Sequence, residues 1–139
     1  MRYDEEQLNA VYDKTSGYCH VCGKKPALTN YGKRGRRGAW QVEHSKPRAR
    51  GGTDHLNNLY PACIDCNQNK GVRTTRTARS WHGRARAPLS VQRREEAKRG
   101  NAAVGVAVGG LLGSVAGPWG ALVGALIGGR LGYKYNPQK

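Results

Sequence analysis

Four cysteines fall as two CxxC pairs, Cys19/Cys22 and Cys63/Cys66. Two such turns deliver four thiolates at the spacing tetrahedral zinc takes, and four protein ligands leave no open position for a substrate. The expectation is a structural zinc that staples a small core. The N-terminus, Met1-Arg2-Tyr3-Asp4-Glu5-Glu6, lacks the apolar core of a signal peptide. Reducing surroundings are therefore expected, and there thiols at this spacing favour zinc over disulfides. The two pairs stand farther apart than the halves of a zinc ribbon, so the chemistry is expected in the insert between them. That insert reads Trp40-Gln41-Val42-Glu43-His44, then Pro47, Gly51-Gly52, Asp54 and Asn58-Leu59, before Cys63-Ile64-Asp65-Cys66-Asn67 and Lys70.

The run VEH…P…GG…D…NL…C..CN..K resembles the cysteine-containing HNH endonucleases, whose core is the ββα-metal finger, over roughly residues 4–75. The resemblance implies a zinc-stapled α+β nuclease core that hydrolyses DNA phosphodiester bonds. It assigns His44 as general base, a task that suits a side chain whose free pKa lies near operating pH. It assigns Glu43 and Asn67 to a catalytic divalent ion, and oxygen donors of this kind suit Mg²⁺ or Mn²⁺. Asn58 takes the place of the central asparagine that holds the loop between the strands and so orients His44; Asn57 is the neighbour with which it can be confused. Two positions depart from the family pattern. The last histidine is replaced by Asn67, a weaker neutral ligand, and Ser45 stands where an apolar strand residue is usual. His20, between the first two cysteines, is an alternative zinc ligand, while His55 and His82 read as surface residues.

The chain has 139 residues, 24 Lys and Arg against 9 Asp and Glu, and a formal net charge of +15. The excess lies in residues 31–100, which carry net +12, whereas residues 1–30 are balanced. Such a stretch repels itself and calls for a polyanion, nucleic acid ahead of anionic lipid. Lys46, Arg48, Arg50, Lys70 and Arg73 are the expected DNA contacts, with Lys33, Arg34, Arg36, Arg37, Arg76 and Arg79 around them. Contacts to phosphate carry no sequence information, and no helix offers base-reading residues, so low specificity is expected. Trp81 is a candidate for stacking on bases, and Trp40 for the core.

The elements that must position these groups are legible in part. Asp4 caps a helix with the stripe Leu8, Val11 and Tyr12. Residues 29–38 read as a mobile loop and residues 39–44 as a strand; a turn follows at Gly51-Gly52, then a second strand within 53–61. A helix should start near the second cysteine pair and reach Lys70. Residues 71–89 read as an irregular basic segment, and Ser90 as the cap of a helix from Val91.

From Asn101 to Gly129 no residue is charged. Gly105, Gly109, Gly113 and Gly117 recur every fourth residue, and Gly120, Gly124, Gly128 and Gly132 repeat the pattern after a break at Gly117-Pro118. Glycine costs roughly 1 kcal/mol against alanine within a helix, so four on one stripe make sense where another helix approaches closely. The segment is similar to glycine-zipper two-helix membrane domains, less specifically than the insert resembles its family. The organisation expected is a nuclease core over 1–75, a basic linker and helix over 76–100, a glycine-rich helical hairpin over 101–132 and a basic tail over 133–139.

Taken together, the residues point to a DNA endonuclease tethered to, or crossing, a membrane through residues 101–132, on the cytoplasmic face of the inner membrane. An antiphage effector or an interbacterial toxin would both fit. Self-association through the glycines and an immunity or regulatory protein are further partners considered. The competing classes are a non-catalytic zinc-bound DNA-binding protein and a membrane-active toxin whose tail is the active part.

Overall fold

The computed structural model describes residues 3–135. The chain forms two compact units, Met1–Val91 and Gln92–Lys139. In the first, helix α1 (Glu5–Asp13) starts in a capping box: the Asp4 carboxylate accepts from the Gln7 amide at 2.7 Å, and the Gln7 side chain reaches back to the Asp4 amide. Two antiparallel strands follow, β1 (Trp40–His44) and β2 (Leu59–Cys63), in the register Trp40↔Cys63, Val42↔Pro61, His44↔Leu59.

Strand alternation decides what each face meets. Trp40, Val42 and Leu59 share one face and bury themselves with Val11 of α1; Leu8, Tyr12 and Tyr31 pack around them. Glu43, Tyr60 and Ala62 lie on the other face. There helix α2 (Ile64–Lys70), which begins directly at the second cysteine pair, and helix α3 (Thr75–Ser80) close a second core of Cys19, Val21, Ala62 and Ala78. Glu43 and His44 are chain neighbours and so leave the strand in opposite directions.

Residues 29–38 form a turn-rich loop, tied down at its ends: the Ala27 amide donates to Gly38 at 2.9 Å, Asn30 Nδ2 to the Arg37 carbonyl at 2.9 Å, and the Gly32 amide to Trp40 at 2.8 Å. One expectation is corrected. Within the expected irregular stretch, α3 forms because Thr74 caps it, accepting from the Thr77 amide, and because Thr75 and Ala78 both face the core. A six-residue helix is too short to show a period in the sequence.

The second unit is a helical hairpin. Helix α4 (Val91–Gly113) and helix α5 (Gly117–Lys134) are joined by a tight turn over Ser114–Ala116. The arms meet glycine to glycine. A Cβ on Gly105 would lie 2.0 Å from the Gly128 carbonyl oxygen, on Gly109 2.0 Å from that of Gly124, and on Gly113 2.2 Å from that of Gly120. Gly132 meets Asn101 in the same way. Gly117 leaves the pattern: it has φ +83° and open space around it, and it makes the turn while Pro118 sits in the first turn of α5. Because backbones fill the interface, the apolar side chains point outward; Leu111, Val115, Trp119 and Leu126 are 75%, 92%, 80% and 74% exposed. At the open end Glu95 accepts from Lys98 at 2.7 Å and from the Tyr133 hydroxyl at 3.1 Å. The helical stretch Val91–Lys134 contains an 18-residue window of mean hydropathy 1.6, none of it buried, so by length and composition it could cross a membrane.

Candidate functional site

His44 is the last residue of β1, and the chain after it is held by Asn58. Asn58 Oδ1 accepts from the Lys46 amide at 2.8 Å, and its Nδ2 donates to the carbonyls of Lys46 at 3.0 Å and Thr53 at 2.8 Å. The Ser45 amide donates to the Asn58 carbonyl at 2.8 Å. One side chain thereby closes the loop from Ser45 to Asn58. Gly52 permits that closure, because a Cβ there would sit 1.8 Å from the Lys46 carbonyl oxygen. Ser45, Lys46, Gly52, Thr53, Asn58 and Thr74 line a recess of about 420 Å³ at the strand end. The His44 side chain is 16% exposed, and its Nε2 lies 2.7 Å from Asp54 Oδ1. Arg48 meets the same oxygen through Nε at 2.7 Å and Nη2 at 2.6 Å. The hydrogen bonds from His44, first, and from Arg48 hold the Asp54 carboxyl below the ordinary carboxylate range.

Glu43 is wholly buried. Oε1 accepts from His20 Nδ1 at 2.8 Å and from the Thr75 hydroxyl at 2.8 Å, while Oε2 lies 3.3 Å from Lys70 Nζ. The Lys70 ammonium also donates to the His44 carbonyl at 2.9 Å. Asn67, half-buried, lies one turn before Lys70 on α2. For a catalytic cation, the oxygen donors of Glu43 and Asn67 fit in chemistry. Glu43 also already sits beside a positive charge, that of Lys70. The carboxylate is closed to solvent, with His20, Thr75 and Lys70 around its two oxygens.

The four cysteine Sγ atoms lie within 4.8 Å of one another, with Cys22 and Cys63 at 3.9 Å. A tetrahedron with Zn–S of about 2.3 Å has edges of about 3.8 Å, so the donor set fits that ion in number, softness and spacing. The Cys63 amide points at Cys19 Sγ at 3.3 Å and the Cys22 amide at 3.5 Å, the polarity a thiolate wants. Crowding splits the thiols: the hydrogen bond with Cys19 is the main cause that pulls Cys22 down and pushes Cys66 up. His20 does not join this set. Its Nδ1 is taken by Glu43 and its ring stacks on Tyr60 at 3.8 Å between centroids.

Of the expected DNA contacts, Lys46, Arg48, Arg50 and Arg73 are exposed, but Lys70 is 2% exposed. Its ammonium serves Glu43 and the His44 carbonyl, so the expectation of a phosphate contact at Lys70 is corrected. A larger cleft, about 900 Å³, lies at the cysteine end of the strands, where Lys24, Lys25, Arg34, Arg36 and Arg37 line it with one carboxylate, Asp65. Trp81 is half exposed, with the Arg73 guanidinium 5.5 Å from its ring. Trp40 is fully buried, its Nε1 donating to the Leu28 carbonyl at 3.1 Å.

Asp54 and Thr75 are partners that sequence reasoning left without a role, and His20, read there as an alternative zinc ligand, is instead the partner of Glu43. Asp54 lies inside the quoted motif, ten residues beyond His44, and could have been flagged as the one acid of that loop. Thr75 carried no such signal. No curated protein matches the chain. Residues 19–73 match the model of the HNH endonuclease family, the segment that holds β1, β2, α2 and all four cysteines. Those four cysteines are positioned to bind a metal, which fits the cysteine-containing type of that family.

Proposed function

We propose that the protein is a metal-dependent endonuclease that hydrolyses DNA with low sequence specificity, with a structural zinc at Cys19, Cys22, Cys63 and Cys66. The observation that carries this reading is His44 at the end of β1, leading into a loop closed by Asn58, inside the segment that matches the HNH endonuclease family. In this reading the His44 imidazole takes the proton of the water that attacks the scissile phosphate. Asn58 keeps the loop and the histidine backbone in register. Glu43 and Asn67 would hold a divalent ion, Mg²⁺ or Mn²⁺, which supplies charge neutralisation at the phosphate. Lys46, Arg48, Arg50 and Arg73 bind the flanking phosphates.

The tail belongs to the same reading as a membrane device. A hairpin whose interface is backbone and whose outer surface is Leu, Val and Trp leaves its apolar side chains to be covered by something, and acyl chains are the fitting cover. The charges at its open end, Arg93, Arg94, Lys98 and Arg99 before and Arg130 and Lys134 after, favour a cytoplasmic base. A role as an antiphage effector or interbacterial toxin goes with a nuclease delivered to, or anchored at, a membrane.

The test is incubation of full-length protein with supercoiled plasmid in Mg²⁺, Mn²⁺ or EDTA, against His44→Ala. The expected result is metal-dependent nicking or cutting, lost by about 10²–10⁴-fold in the variant while DNA binding persists. A variant within tenfold of wild type, or one that loses binding and cleavage equally, refutes the role of His44. For the tail, full-length protein is expected with the membrane fraction. Recovery from the supernatant without detergent, as monomer or defined oligomer, overturns that half of the reading.

A further inference from the structure

We infer that Asp54 is the positioning carboxylate of the general base: it holds the Nε2–H of His44 and so presents Nδ1 to the attacking water. This rests on His44 acting as the base. An ionised carboxylate can only accept, so the 2.7 Å contact between Asp54 Oδ1 and His44 Nε2 places the imidazole proton on Nε2. The lone pair is then on Nδ1, for which the structure gives no hydrogen bond among the described residues. The ring is thus fixed at both ends of its linkage. The Lys70 ammonium and the Asn58 loop hold its backbone, and Asp54 holds its far nitrogen.

Asp54 is itself fixed. Two guanidinium nitrogens of Arg48 meet the oxygen that His44 uses, at 2.7 and 2.6 Å. The two nitrogens converge on that one oxygen, and their grip keeps the carboxylate charged and aimed, which matters because Asp54 is 40% exposed and lies between the strands. It also sets a division of labour: an imidazolium formed when His44 takes a proton would face a carboxylate, which stabilises it, while Arg48 balances the charge of the resting pair.

A purely structural reading gives Asp54 one job, tying the loop to Arg48. The two readings part in the tautomer and in the kinetic constants. Long-range ¹⁵N–¹H correlation on zinc-replete full-length protein free of Mg²⁺ and Mn²⁺, which distinguishes the two neutral tautomers from the imidazolium, reads the His44 tautomer directly. Wild type is expected as the Nε2–H form. Asp54→Ala should lose that preference and become a mixture, whereas Arg48→Ala, which keeps the carboxylate but loosens its aim, should weaken the preference less. In plasmid cleavage Asp54→Ala should lower kcat by about ten- to a hundredfold, the usual effect of an outer partner that fixes a histidine ring, with KM changed by less than about threefold. Asp54→Glu should recover part of kcat. The inference is overturned by an Nδ1–H wild-type tautomer, by an unchanged tautomer in Asp54→Ala, or by a loss that appears in KM alone. A wild-type protein that cuts nothing would refute the nuclease reading instead, and the tautomer measurement would still decide the pairing.

Discussion

Replacing Thr75 with valine tests the buried network behind β1, and its effect can be worked from the contacts. The side chain is fully buried, and its hydroxyl lies 2.8 Å from one Glu43 oxygen and 3.1 Å from the other. A hydroxyl has one hydrogen, so this is a single shared bond to a charged acceptor, worth about 1.5–3 kcal/mol. Valine preserves shape and volume, so little is added for a cavity. Glu43 keeps His20 and Lys70, which prevents the larger loss that follows when a buried charge is left alone. The expected cost is therefore about 2 kcal/mol. For a unit of this size 1 kcal/mol moves Tm by about 4–8 °C, which gives a drop of roughly 8–16 °C. Thermal and urea unfolding of Thr75→Val and wild type, at one fixed zinc concentration so that metal linkage cancels, measure it. A shift below about 2 °C would show that the hydroxyl contributes nothing to holding Glu43, and the network would have to be redrawn.

Two other expectations concern the metal site and the tail. One tightly held zinc per chain should be found by elemental analysis, and Cys19→Ser should unfold the first unit rather than slow the enzyme, since metal binding supplies folding free energy; folded, active protein with almost no zinc would refute this. Gly109→Leu puts a side chain where the Gly124 carbonyl stands 2.0 Å from a Cβ. It should open the hairpin to limited proteolysis in detergent while plasmid cleavage persists, and a tail as resistant as wild type would rule out the close backbone contact.

Local patterns were readable because they report on one element at a time. The Asp4 cap with the Leu8, Val11, Tyr12 stripe, the two CxxC turns and the fourfold glycine spacing each encode geometry within a few residues, and the corresponding helix, cysteine cluster and hairpin all appear in the structure. The motif order around His44 likewise identified the strand, the loop and the helix of the segment that matches the HNH endonuclease family. Its assignment of individual roles to Glu43, Asn58 and Asn67 stays a proposal.

Tertiary structure decided the pairings. Lys70 reads as one more surface cation until α2 packs on β1 and buries its ammonium between Glu43 and the His44 carbonyl. His20 reads as a spare zinc ligand until strand alternation turns Glu43 toward it and away from His44. Thr75 and Glu43 stand thirty-two residues apart, and no local rule links them. The register of the glycines, Gly105 against Gly128 and not against another member of the same series, depended on where the turn fell, and that took Gly117 out of the interface. The physical reason is the same in each case: burial and hydrogen-bond satisfaction depend on what packs against a residue, and that neighbour comes from a distant part of the chain.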